Sequence, residues 1–243
     1  MNYAYDGTFF GFLSAVFDAY YDGIAGVEAI HLDSEPVLGE DRLVPTDPGK
    51  VQRVLTGLQK KCGGKTCHFL YYAFLAEAPG REAWLLTYIR QAFQYQQDFL
   101  NHLHEPALWT VREWARKTGN ERHKLLGLAR FRELSDGSLY SMLAPDCCVV
   151  PVMAPHFVKR LAGERWVIHD VKRGLGVCYD QQDLSIVQIP AVASDIPLSV
   201  QEHAFSELWQ NYYATIAIKE RTNHDLRRSF MPKKYWKYLI EMQ

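Results

Sequence analysis

At Gly127 the apolar pattern of the chain changes period, and this change limits the possible fold more than any other feature. Upstream, Val51, Val54, Leu55 and Leu58 share one face of a segment that opens at Asp47-Pro48 and stops at Gly63-Gly64, which predicts a helix. Helix formers and aromatic residues then fill 66–77, 81–102 and 106–117, with breaks at Pro79-Gly80 and Pro106. Downstream, LARFREL, a turn at Ser135-Asp136-Gly137 and SLYSMLA alternate with period two, as a hairpin does. A short helix opened by Pro155 and reaching 161 precedes three more strand-like runs, RWVIHDV, GVCYD and LSIVQI. Helices first and strands afterwards predict an α+β protein.

The two ends complete this outline. Tyr3 to Tyr5 reads as a strand broken at Asp6-Gly7, after which Thr8 caps a helix bearing Phe9, Phe12, Leu13, Val16, Phe17 and Tyr20, and 27–32 alternates as a strand. Near the other end, Phe205, Leu208, Trp209, Tyr212, Tyr213 and Ile216 mark an amphipathic helix whose apolar face calls for cover by earlier parts of the chain. The expectation is therefore one compact unit over 1–243. In it a strand-helix-strand and helical block, 1–126, packs on a mostly antiparallel sheet, 127–190, followed by a helix and basic tail, 200–243. The stretch 193–200, with Pro190 before it and Pro197 within it, is the best candidate linker.

Charge patterning singles out the tail. Between 219 and 238, KERTNHDLRRSFMPKKYWKY sets seven cations against two anions, a local charge of +5, whereas the whole chain carries -1. Near-neutrality excludes binding of polyanions through overall charge, so any such site is a patch. Here Arg228, Lys233 and Lys234 would meet phosphates, while Tyr235 and Trp236 offer flat faces for bases or sugars. The alternative is a solvated basic face with its aromatic residues pinned to the core.

Another polar cluster, His169-Asp170-Val171-Lys172-Arg173-Gly174, follows an apolar strand. His169 is a candidate general acid or base, with Asp170 beside it, and Lys172 or Arg173 a candidate phosphate ligand. Adjacent residues of a strand face opposite ways, so His169 and Asp170 form a dyad only if the turn brings them together. The other reading is a hairpin with a solvated basic turn. Arg130 and Arg132, two apart in LARFREL, share a face suited either to phosphate or to ion pairs. His156, after Pro155, is a weaker anion-site candidate at a helix start.

Other classes are excluded by what the sequence lacks. Five cysteines, an odd number, suit reduced thiols rather than a disulfide framework. Cys62 and Cys67 beside His68 are too far apart for a haem-attachment motif, and the side chains of Cys147 and Cys148 diverge, so no metal and no cofactor is expected. No phosphate-binding glycine loop, nucleophile elbow or iron–sulfur cysteine motif is present. The N-terminus has no basic leader and no apolar run reaches the ~20 residues of a membrane span, which predicts a cytoplasmic protein away from membranes.

Several stretches together, YDGTFFGFLSAVF, GLARFREL, APHFVKRL through WVIHDVKRGLGVCYD, and FMPKKYWKYL, resemble one bacterial family of DNA metabolism or repair proteins. That family is similar to a domain fused to uracil-DNA-glycosylase-family proteins and is associated with a radical-SAM protein of DNA modification or repair. The resemblance implies DNA as a ligand, single- or double-stranded, and a radical-SAM or glycosylase-family partner. Three functions follow as expectations: a DNA-binding accessory protein, an enzyme acting on DNA around His169–Arg173 with Asp6 or Glu133 as carboxylates, or a protein-interaction module.

Overall fold

A computed structural model describes residues 1–23, 29–34, 41–189, 196–216 and 223–242. The chain forms two compact units, Met1–Gly119 and Asn120–Gln243.

In the first unit, β1 (Asn2–Tyr5) lies between β2 (Ala29–Leu32) and β3 (Asp41–Leu43), parallel to both. Every residue of β1 is buried, as a central strand requires. The helix α1 (Phe9–Tyr21) starts where Thr8 Oγ1 accepts the Gly11 amide at 2.9 Å, and Asp6 fixes that cap by accepting both Thr8 donors and the Thr46 hydroxyl. Asp47 caps α2 (Pro48–Cys62) by accepting the Gly49 and Lys50 amides, and Gly63, at φ +85°, ends it. Next come α3 (Gly64–Phe74), α4 (Arg81–Tyr95) and a 3-10 turn over Gln96–Asn101. Phe12, Leu13, Leu58, Leu70, Leu85 and Ile89 are fully buried and form the core of this unit. The strand-helix-strand opening is present, with residues 27 and 28 of the expected strand outside the described residues. The short, exposed β3 carries no alternation, so the sequence pattern gives no sign of it.

The helix α5 (Pro106–Leu128) is longer than its first apolar residues suggest. Buried Val111, Ala115 and Thr118 are continued by Glu121, Leu125 and Leu128 at the same helical spacing, so the pattern survives the polar run between them.

The second unit holds a five-stranded sheet in the order β4 (Arg132–Glu133), β5 (Leu139–Leu143), β6 (Trp166–Asp170), β7 (Leu175–Tyr179) and β8 (Leu184–Gln188). All neighbours are antiparallel except β5 and β6, which α6 (Val150–Arg160) connects as a crossover. The whole is an α+β protein. Trp166, Met153, Phe157 and Val177 form the core between sheet and α6. Pro155 does not open α6. Pro151 occupies the first turn and Pro155 sits inside, so His156 is a mid-helix residue with its ring against Phe157, away from the open amides of the helix start.

After the sheet come α7 (Val200–Ile216), α8 (His224–Phe230) and 3-10 turns over Lys233–Tyr238 and Ile240–Met242. The sequence predicts burial for the apolar side of α7. Instead Phe205, Leu208, Tyr212 and Ile216 are all more than half exposed, and Glu202 is the one buried residue of the helix. Polar contacts hold α7: Glu202 accepts the Glu133 amide at 2.9 Å, and Gln210 donates to the Ile240 carbonyl at 2.9 Å. The burial from which a single compact unit is inferred is thus not what anchors this helix. Part of the expected linker, 193–195, and Lys219, Glu220 and Arg221 of the tail lie outside the described residues.

Candidate nucleic-acid interface

The second unit brings the two basic segments of the sequence to one residue, Asp146. Its backbone carbonyl accepts Arg173 Nη2 at 2.7 Å, and its carboxylate accepts Lys234 Nζ at 2.5 Å. The turn after β6 and the C-terminal tail therefore meet at the loop between β5 and α6.

On the turn side, Asp170 is fully buried at the end of the central strand β6. It pairs with Arg173 Nη1 at 2.7 Å and accepts the Lys172 and Arg173 amides, while the same guanidinium donates to the Pro145 carbonyl at 3.1 Å. Burial raises the Asp170 carboxyl above its ordinary range, and the bonds from Arg173 oppose that only in part. His169, equally buried, points to the other face of the sheet, where Tyr140 Oη lies 2.6 Å from Nδ1 and Nε2 has no hydrogen-bond partner. Burial lowers its pKa, against a smaller opposing pull from Asp170. The turn thus leaves the two side chains apart, as the strand alternation predicts, and solvent reaches neither.

On the tail side, the organising residue is Glu121 of α5. Its carboxylate accepts four donors: Tyr235 Oη at 2.5 Å, Lys234 Nζ at 3.0 Å, and the amides of Asp146 and Cys147 at 2.9 and 2.7 Å. Burial alone would raise its pKa, but these bonds outweigh burial and bring it down to about 2. Tyr235 is raised by burial and by its bond to Glu121. Lys234 is raised too, because its bonds to Asp146, Tyr235 and Glu121 exceed the opposing effect of burial. Lys234 is exposed, as the charge pattern leads one to expect, but its ammonium is engaged by Glu121 and Asp146. Tyr235 is buried with its hydroxyl on Glu121, which corresponds to the alternative in which the aromatic residues of the tail are pinned to the core.

The remaining candidates divide in the same way. Arg130 binds Glu241 through Nε and Nη2, at 3.2 and 2.6 Å, and Trp209 Nε1 donates to the same carboxylate. Arg132 lies 3.8 Å from Glu202, too long for a hydrogen bond. Arg130 precedes β4, so the two arginines do not share a strand face, and the acids they approach are Glu241 and Glu202. Arg228 makes an exposed pair with Asp225 at 3.3 Å on α8. Lys172 and Lys233 are exposed and pair with no carboxylate among the described residues. Trp236, half-buried, donates Nε1 to the Met231 carbonyl at 2.8 Å, with Arg227 5.0 Å and Lys233 5.9 Å from its ring centroid. Phe230 is largely exposed.

Sequence reasoning missed the acids of this site: Glu121, Asp146, Glu202 and Glu241. One signal for them exists, since a tail at +5 within a chain at -1 requires compensating acids elsewhere, but it does not say which. Asp6 holds the α1 cap, and Glu133 accepts the Ser199 hydroxyl at 3.2 Å. The five cysteines are thiols, and among the described residues no group of three or more His, Cys, Asp or Glu could hold a metal ion. Nor is any described helix long and apolar enough to cross a membrane.

Fold and site together define an α+β protein whose second unit carries a basic, aromatic tail held by the buried Glu121 and the exposed Asp146. The chain belongs to the family described as a domain of unknown function, DUF4130, whose model matches residues 79–241. Comparison with curated proteins and with solved structures gave no match.

Proposed function

We propose that this protein is a nucleic-acid-binding accessory factor of DNA metabolism or repair, which holds a strand on its second unit for a catalytic partner of the radical-SAM or glycosylase type. The observation that carries the reading is the double hold on Asp146. Arg173 and Lys234 grip that residue from two segments, and Lys172 and Lys233, each the chain neighbour of a gripping residue, remain exposed and pair with no carboxylate among the described residues. Charges held on a rigid frame neutralise phosphates without the entropy cost of ordering a loose tail. Trp236, its ring centroid 5.9 Å from Lys233 Nζ, adds a flat face there, and the exposed Phe230 of the same tail offers another, both suited to bases or sugars. DNA, rather than another polyanion, is the ligand favoured by the resemblance of the four sequence stretches. An enzyme centred on His169 has less support, because neither His169 nor Asp170 meets solvent.

The test is binding of labelled single- and double-stranded oligonucleotides by the intact protein as salt is raised. Affinity is expected to fall with salt, and Lys172→Glu with Lys233→Glu to reduce the slope of log affinity against log salt by about two. A parent protein that binds neither form at low salt, or a double variant that folds and binds like the parent, contradicts the proposal.

A further inference from the structure

The first unit contains a groove of about 410 Å³ between α1, α2 and α4. Val16 and Val54 make its floor, Phe17 and Phe93 its walls, and Tyr20 meets the Phe93 ring edge-on at 5.7 Å. Three residues of α2 lie along its mouth: Arg53, Gly57 and Lys61. Their spacing of four places them one above another on a single helix face. The two cations are each laid on a wall ring, Arg53 at 4.9 Å from the Phe17 centroid and Lys61 at 5.7 Å from that of Phe93. The glycine between them leaves a gap in the row, and a Cβ added there would lie 3.5 Å from the Phe93 ring.

Charge in this region is one-sided. The helix α2, PGKVQRVLTGLQKKC, has four basic residues and no acidic one. Lys50 is compensated by Asp18 at 2.6 Å, but Arg53 and Lys61 pair with no carboxylate among the described residues. Among the described residues no acidic one lines the groove. Its size is that of a small-molecule site, and aromatic walls under two cations suit a ligand with a flat apolar body and a negative charge at one end.

We propose that this groove binds a small aromatic anion, its ring entering past Gly57 between Phe17 and Phe93 and its acidic group held between Arg53 and Lys61. The site lies outside the residues matched by the family model except for Phe93, and all its lining residues belong to the first unit, so the assignment does not rest on nucleic-acid binding by the second.

The test uses naphthalenesulfonate as the probe, with naphthalenemethanol as its neutral counterpart and methanesulfonate as the ringless anion. Binding to the intact protein is read by calorimetry and by saturation-transfer NMR. The expected result is binding of naphthalenesulfonate with the other two at least about tenfold weaker, a gap worth ~1.4 kcal/mol. Gly57→Leu fills the gap and should abolish binding. Because leucine is the better helix former, a melting curve at or above the parent's shows that the loss is local. Gly57→Ala should retain the probe, and Arg53→Ala with Lys61→Ala should weaken it about tenfold or more while leaving the fold intact. No binding of naphthalenesulfonate at millimolar concentration, equal binding of the neutral compound, an unaffected Gly57→Leu, or displacement of the probe by a single-stranded oligonucleotide would each overturn the assignment.

Discussion

The basic helix α2 in the first unit and the basic tail in the second are similar as charge runs, yet the structure uses them differently. On α2, Arg53 and Lys61 lie over aromatic rings at the surface without a carboxylate partner among the described residues. In the tail, Lys234 is taken into a cluster with Glu121 and Asp146, and in the turn beside it Arg173 is paired with Asp170. A cation joined to a buried acid belongs to the stability of the fold, because its removal strands a charge away from water. A cation over a ring at the surface is available to a ligand, and its removal leaves nothing buried unpaired.

Mutations that remove one charge at a time can break this contrast. The largest loss is expected from Arg173→Ala, which leaves the fully buried Asp170 without its ion pair and deprives the Pro145 and Asp146 carbonyls of a donor. Chemical denaturation should show a loss of about 3 kcal/mol or more. A change below the roughly 0.5 kcal/mol typical of surface substitutions would mean that the pair does not hold the loop.

Glu121→Gln comes next, and pH sharpens it. The folded carboxyl titrates at about 2 against an ordinary 4.5, so folding favours the charged form. For a depressed acid, the stabilisation is complete above the ordinary value and disappears as pH falls through the folded one. The shift corresponds to about 3 kcal/mol as an order of magnitude. Parent and Glu121→Gln should therefore differ most at neutral pH, converge between about pH 4.5 and 2, and coincide below that. A difference that stays constant down to pH 2 would assign the role of Glu121 to shape rather than charge.

At the low end, Arg53→Ala and Lys61→Ala should each change stability by about 1 kcal/mol or less, the worth of an exposed cation–π contact. A loss of several kcal/mol from either would remove the contrast between the two regions.

How much of this is legible in the sequence follows from the range of each interaction. The boundaries of α2 are readable because the Asp47 cap, Pro48 and Gly63 are local signals that act within a few residues. The opposed directions of His169 and Asp170 are readable because strand period is local as well. The extent of α5 is underestimated, since a polar run between Thr118 and Leu125 hides a face that Glu121 shares. That aromatic residues of the tail can pin to the core is readable, but the acid that receives them is not. Lys234 and Glu121 are 113 residues apart, and no periodicity or cap connects them. Basic residues close together in sequence can be seen as a patch, but which of them find an acid is settled by the fold. For the same reason the apolar stripe of α7 predicts burial, while Glu202, Trp209 and Gln210 hold the helix by polar bonds.

Lys233 and Lys234 are neighbours in the chain with opposite roles, so a paired comparison of their alanine variants is the most direct test. Each variant is melted and is titrated with a labelled oligonucleotide over a range of salt concentrations. Lys233→Ala is expected to melt like the parent and to lower the salt slope of binding by about one. Lys234→Ala is expected to lose about 1 kcal/mol or more of stability, through its bonds to Glu121 and Asp146, and to keep the parent's slope while folded. The reverse pattern, with Lys234 setting the slope and Lys233 the stability, or a slope that neither substitution changes, would contradict the assignment of clasp and contact surface.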